Sequence, residues 1–435
     1  MNVEDFLKRE INRRQFLGKS AQNAAGVAVG VVGFSSGSRF GGLKQRIRVG
    51  VIGVRNRGRL LASTLAAMPD VEVPVLCDVD KRVFRAACES VREAQGYVPR
   101  CVLDFRRVLD DHTLQAVVIA TPDHWHAPMT VLACQAGKDV YVEKPATLTI
   151  AEQERVAGVI ETTNRIVQVG LQQRSGKHFH SAIHAVRSGC IGNVQLVKAW
   201  ASYRRSKLPV AGQLTAPPTV DYDLWLGPAP ARPFDVRRFH YHWRWFWDYS
   251  GGELTNWGVH MLDVAVWALN LGLPKRVTAH GVCSSEDGSE TPHTLTAVYE
   301  YENLLLTWEH RQWSDRGIEG RSAAVAFHGD QGTLIVDRGG WKIYGAKQTK
   351  TEDTSEMLRT HLRNFVECVR TRQAPCAEFR KTVTAATLCH LANIAFRTNQ
   401  DLRVQTDSAA KVNVLPTEAQ AFLSRSARPP WDSVS

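Results

Sequence analysis

Two regimes of hydrophobic patterning divide the chain. Up to about residue 165, short apolar, β-branched runs recur: IRVGVIGV (47–54), VEVPVLCDV (71–79), AVVIA (116–120) and DVYV (139–142). Runs with little polar alternation are expected of strands buried on both faces of a parallel sheet. Helical patterns separate them, at LLASTLAAM (60–68), at 127–135 with Gly137 as the stop, and at 151–165. From IVQVGLQQR (166–174) onward the pattern changes. A helix is predicted at 178–188, then a strand at VQLVKAWAS (194–202), and another helix at 254–269. Further strands follow at 276–283, 295–302, 304–313, 322–329 and 332–338, with a hairpin around Asn303. These should build one broad, mostly antiparallel sheet, closed by helices at about 356–371 and 379–398. The Pro-rich stretch 203–233 reads as a functional loop or arm, and 401–435 as a surface tail or an arm reaching a neighbouring subunit.

The first strand runs into Gly53-Val54-Arg55-Asn56-Arg57-Gly58, a G-x-G-x-x-G loop with Arg55 in place of the middle glycine. That glycine ordinarily lets the backbone approach a pyrophosphate. A side chain there moves the loop back, and Arg55 or Arg57 is expected to pair with phosphate instead. The second strand ends at Asp78, twenty residues after Gly58, where a carboxylate meets the adenosine ribose 2′-hydroxyl. Such an acid repels a 2′-phosphate, so NAD is expected over NADP. Thr121-Pro122, His126 and Glu143-Lys144 follow strand carboxyl ends, the edge where open α/β sheets bind ligands. The predicted fold is α/β: an N-terminal Rossmann dinucleotide-binding domain (43–165) and a C-terminal α/β domain (166–400) with a large, mostly antiparallel open sheet.

Charge and cysteine content narrow the partners. The net charge of +11 is dispersed without a long basic run, which argues against nucleic-acid binding. Nine scattered cysteines with no C-x-x-C pair fit neither a disulfide framework nor a zinc site. His240-x-His242 lacks a third ligand at convincing spacing, so no metal is expected. Residues 1–42 read as a targeting segment. Arg13-Arg14-Gln15-Phe16-Leu17 resembles a twin-arginine signal ahead of the small, apolar stretch AGVAVGVVGF (25–34). Export in folded form to the periplasm by the twin-arginine machinery is expected, with membrane tethering if the leader stays uncleaved.

ATPDHWHA followed by AGKDVYVEKP, together with WLGPAP, WRWFWDY and GGELTNWGVHMLD, resembles the Gfo/Idh/MocA family of nicotinamide-dependent sugar and polyol oxidoreductases, over roughly 46–400. The resemblance implies that Lys144, of Glu-Lys-Pro, touches both nicotinamide and the reacting hydroxyl. It implies that His260 is the proton acceptor, and that Asn256 stands where the family carries Asp. Asn256 and His260, four apart on a helix, should share a face, Asn256 orienting the ring without supplying charge. Asp263, Asp248, His240 and His242 are nearby alternatives. Trp243, Arg244 and Trp245 are expected to line the site, because sugar rings stack on Trp faces. A homo-oligomer is implied by the resemblance only.

Three functions fit: a NAD(P)-dependent oxidoreductase acting on a secondary hydroxyl of a sugar, polyol or glycoside; a NAD-dependent glycosidase or lyase working by transient oxidation and elimination; and a non-catalytic sugar-binding member of the fold.

Overall fold

The computed structural model describes residues 46–210, 212, 215–284, 288–344, 349–350, 356–406, 412–432 and 434. The expected export segment, 1–42, lies outside them.

Six parallel strands form the first sheet: β1 (Ile47–Ile52), β2 (Val71–Cys77), β3 (Arg100–Val102), β4 (Ala116–Ile119), β5 (Asp139–Val142) and β6 (Val167–Val169). Their order is β3-β2-β1-β4-β5-β6, a doubly wound sheet whose winding reverses between β1 and β4. All residues of β4 and β5 are buried, as their unbroken apolar runs require. Helix Asn56–Ala66 buries Leu61, Ala62 and Leu65 against the sheet. The second unit was expected to begin at 166, but β6 pairs with β5 through Val140–Val167 and Val142–Val169, so the parallel sheet extends to Val169. Gln168, within β6, is polar yet fully buried, its amide donating to the His361 carbonyl.

The second sheet has ten strands: β7 (Val194–Ser202), β8 (Arg276–Val282), β9 (Thr294–Glu300), β10 (Leu305–Arg311), β11 (Ala323–Gly329), β12 (Gly332–Asp337), β13 (Gly340–Tyr344), β14 (Thr349–Lys350), β15 (Leu402–Thr406) and β16 (Val412–Leu415). β7 and β10 run parallel, and the other neighbouring pairs are antiparallel. β9 and β10 alternate buried and exposed positions, as strands with one covered face do. The helices Val259–Leu269 and Phe379–Thr398 share a core with that covered face.

Two segments bind the sheets together. Helix Met357–Thr371 packs Leu362, Phe365 and Val366 among residues of the first sheet and its helices, and Arg363 and Arg370 both pair with Asp70. The residues expected to form a surface tail instead supply β15 and β16 and then fold back onto the first domain. Trp431 is buried with its ring 4.8 Å from that of Trp125, and Arg425 Nε donates to Glu152 at 2.8 Å. A large aromatic buried against aromatics anchors such a segment even where periodicity is weak.

Candidate active site

A cleft of about 380 Å³ opens along the carboxyl ends of β1, β2, β4 and β5, closed on its other side by residues 239–260 and Arg338. At its floor the 53–58 loop turns tightly. Gly53 has φ +82°, and a Cβ on Gly58 would lie 1.7 Å from the Gly53 carbonyl oxygen, so both glycines are required. Arg55, at the third position, precedes helix Asn56–Ala66 and leaves its first amides without a side-chain cap. Asp78 lines the cleft. Its carboxylate accepts from the Val54 amide at 2.8 Å and from the Asp80 amide at 3.0 Å, and burial pushes its pKa up to about 6. Thr121 Oγ1 is buried without a partner at the end of β4. An uncapped helix N-terminus, a glycine-tightened loop, a carboxylate ending β2 and an orphan hydroxyl fit a dinucleotide. Asn56, Thr121, Pro122 and Arg55 line its bed.

Three residues expected to bind cofactor make contacts of their own. Arg57 Nε donates to Glu143 at 2.7 Å, an ion pair that holds both side chains. The His126 ring spans two backbone carbonyls, Pro145 at 2.6 Å and Thr121 at 2.9 Å, bracing the ends of β4 and β5. Both histidine and ion pair still border the cleft.

At the reacting centre, Lys144 Nζ donates to the backbone oxygen of Asn256 at 2.8 Å and to its Oδ1 at 2.9 Å. Burial drives the lysine pKa down to about 8, against the attraction of Glu143 and Asp123. Asn256 Nδ2 in turn donates to Glu253 Oε2 at 3.2 Å, which also accepts from the Tyr203 hydroxyl at 2.6 Å and from Gln312 at 3.1 Å. Glu253 is buried, its Oε1 has no partner, and desolvation raises its pKa to about 7. Asn256 therefore grips the lysine and not the His260 ring. The reason is local: Leu254–Gly258 is a single π-helical turn ahead of helix Val259–Leu269, so an i, i+4 pair loses its shared face.

His260 lines the cleft, with Nδ1 buried and unpartnered. Burial, then the cations of Arg338, Lys144 and Arg57, push its pKa well below the usual histidine range. Burial therefore favours the neutral ring, the form from which a proton acceptor starts. Trp243 and Arg244 border the cleft as expected, the guanidinium 4.2 Å from the indole centroid. Trp245 does not. It is fully buried in an aromatic cluster that also holds Trp225, Phe246, Tyr249 and Trp243 itself. The nearby acids are also committed: Asp263 pairs with Arg174, and Asp248 with Arg232. Of the residues that sequence reasoning missed, Glu253 carried a signal, three positions before Asn256. Arg338 carried none, since it reaches the cleft from the turn between β12 and β13.

This fold and cleft define a dinucleotide-binding oxidoreductase. Residues 47–171 match the profile described as oxidoreductase family, NAD-binding Rossmann fold, and residues 198–433 that described as oxidoreductase family, C-terminal alpha/beta domain. The chain belongs to the Gfo/Idh/MocA oxidoreductase family and is an enzyme of that family. It is 27% identical over 212 residues to an alpha-N-acetylgalactosaminidase of Shewanella oneidensis, covering 44% of this chain and 46% of that protein. It is 32% identical over 187 residues to a glycosyl hydrolase family 109 protein of Saccharopolyspora erythraea, covering 38% and 40%. The matches thus span less than half the length of these curated relatives. Among solved structures it resembles the WlbA dehydrogenase of Bordetella pertussis, determined with NADH and UDP-GlcNAcA, at TM-score 0.63 and 18% identity over 83% of this chain and 100% of that one. GenD2 from gentamicin A biosynthesis, determined with NAD, superposes at TM-score 0.64 and 18% identity over 87% and 100%. At these identities the likeness is one of fold.

Proposed function

We propose that the protein is a NAD-dependent oxidoreductase acting on a secondary hydroxyl of a sugar, polyol or glycoside. The observation that carries this reading is Lys144, held at the carboxyl edge of the parallel sheet by both oxygens of Asn256. A bound dinucleotide supplies the hydride acceptor. The chain must take the hydroxyl proton. With two N–H groups committed to Asn256, the neutral amine of Lys144 has a lone pair left for that proton, and a pKa near 8 suits exchange close to neutral pH. As the C–H hydride leaves and the carbonyl forms, Nζ becomes ammonium, and in the reverse direction it returns the proton. Neutral His260 positions the hydroxyl through a hydrogen bond. Asp78, at the end of β2, favours NAD over NADP by repelling a 2′-phosphate.

A second reading is supported by the alpha-N-acetylgalactosaminidase relative: a glycosidase that oxidises a ring hydroxyl, eliminates the glycosidic group and is then re-reduced. Mass spectrometry of small molecules released on denaturing the purified protein, followed by assays on sugars and on aryl glycosides, tests both. Net reduction of added NAD supports the oxidoreductase. Glycoside cleavage without net reduction supports the second reading. Absence of NAD binding and of both activities sinks the proposal.

A further inference from the structure

Two arginines in the cleft make no direct ion pair among the described residues, although Glu143 is felt by Arg338 and Asp123 feels Arg244. Arg338 stacks its guanidinium 4.5 Å from the Trp257 ring centroid, its Nε is buried without a hydrogen-bond partner, and no ion pair holds it among the described residues. Arg244 lies between the rings of Trp243 and Tyr241, at 4.2 and 4.7 Å, and donates only to the Tyr241 carbonyl, at 3.1 Å. Aromatic cover on the faces leaves guanidinium edges as the available donors, and a guanidinium edge matches an oxyanion bidentately. A guanidinium that makes no direct ion pair keeps donors that a ligand can satisfy.

The other cleft cations are accounted for. Arg57 is paired with Glu143, and Arg55 stands on the 53–58 loop, at the phosphate end of the dinucleotide bed. Arg338 is coupled to both ends of the cleft: it feels Arg57 and is the strongest charged neighbour of His260. Arg244 is felt by Lys144 and by Asp123. Both arginines line the same cleft as Lys144 and His260.

We propose that Arg338 and Arg244 hold an oxyanion, a carboxylate or a sulfate ester, carried by the saccharide whose hydroxyl reaches Lys144. The substrate class is then an acidic sugar, such as a uronate or a sugar sulfate, and not a neutral hexose. This rests on the oxidoreductase reading above and narrows it.

The test is calorimetric titration of the NAD-loaded full chain with D-glucuronate, D-galactose 6-sulfate, D-glucose and D-galactose. At least one acidic sugar should bind about tenfold tighter than its neutral counterpart, the margin expected of charge-assisted hydrogen bonds. Which of the two does so separates carboxylate from sulfate. R338Q should abolish the preference and R338K should keep part of it, with NAD affinity within about twofold of the starting protein. R244Q gives an independent second variant. Equal binding of neutral and acidic sugars, or a failure of both acidic sugars to bind, overturns the proposal. So does a preference that survives in both glutamine variants. If R338Q instead weakens NAD binding with sugar discrimination unchanged, Arg338 serves the dinucleotide and the proposal fails. NAD reduction is followed separately. Acidic preference without hydride transfer leaves the anion site standing and refutes the oxidoreductase reading. Turnover of neutral sugars without preference does the reverse.

Discussion

Lys144 and Asn256 are joined twice, Nζ donating to the asparagine's backbone oxygen at 2.8 Å and to its side-chain oxygen at 2.9 Å. The residue that departs from the family's aspartate is therefore the lysine's clamp. A carboxylate in its place would stabilise the ammonium by charge, whereas an amide orients it and leaves burial to decide its proton affinity. The outcome is a lysine near pKa 8, able to exist as either amine or ammonium around neutral pH.

Lys144→Ala should remove the proton-exchanging group and leave the dinucleotide bed of the 53–58 loop and Asp78 in place. Turnover should fall by about two to four orders of magnitude, the usual effect of losing a positioned acid–base group, with the NAD dissociation constant little changed. Steady-state rates alongside fluorescence titration of NADH check both halves. Near-full turnover would refute the assignment.

Asp78 does two jobs, bordering the cofactor bed and accepting the Val54 amide of the glycine loop. Asp78→Ala should weaken NAD binding and reduce discrimination against NADP. Asp78→Asn retains an acceptor for the amide and should therefore bind NAD better than the alanine variant, with discrimination still lowered. Paired NAD and NADP titrations decide it. Equal or better NADP binding by the unsubstituted protein contradicts the role.

Asp263 makes two hydrogen bonds to Arg174, at 2.7 and 2.8 Å, with both side chains buried. Asp263→Ala strands a buried guanidinium and should cost about 3–5 kcal/mol. Replacing the pair together, Asp263→Leu with Arg174→Met, should recover most of that loss. Denaturant unfolding of the three variants measures it. Catalysis in the double variant should survive, because neither residue borders the cleft.

Much of the fold was legible because burial on both faces demands unbroken apolar strands, and β1, β2, β4 and β5 appear where those runs lie. The boundary expected at 166 falls ahead of β6, whose Gln168 is polar and buried against a distant carbonyl. The C-terminal strands were missed because Arg403, Gln405 and Asn413 break the apolar pattern at the sheet's edge. Lys144, Asp78 and Arg244 line the cleft that the motifs and the resemblance pointed to. The role of Asn256 was not legible, since a π turn changes which side chains meet without changing their separation in sequence. Trp245 shows the limit of composition: both it and Trp243 are buried in one aromatic cluster, and only Trp243 also reaches the cleft.

Twin-arginine export remains a proposal, supported by Arg13-Arg14 before a short apolar stretch. Replacing both with Lys should retain the protein in the cytoplasm while its cofactor content is unchanged. Fractionation with immunodetection gives the readout, and undiminished periplasmic delivery would sink the idea.

Glu253 offers the sharpest control on the lysine. Its carboxylate attracts the Lys144 ammonium, and its own pKa near 7 means it is largely ionised at pH 8. Glu253→Gln removes that attraction, so the lysine pKa should drop. Oxidation needs the amine, so its rising limb, centred near pH 8, should move to lower pH. Reduction needs the ammonium, so its falling limb should move the same way. Asn256→Asp acts oppositely, placing an anion beside Nζ and moving both limbs to higher pH. The shift should be smaller than one full added charge implies. The new carboxylate would face Glu253 across the present 3.2 Å contact, and two such acids tend to share a proton. The double variant, Asn256→Asp with Glu253→Gln, keeps a single carboxylate but places it against the lysine, so its limb should lie above that of Glu253→Gln alone. If the pH–rate profiles in both directions stay fixed across all three variants, Lys144 is not the titrating group.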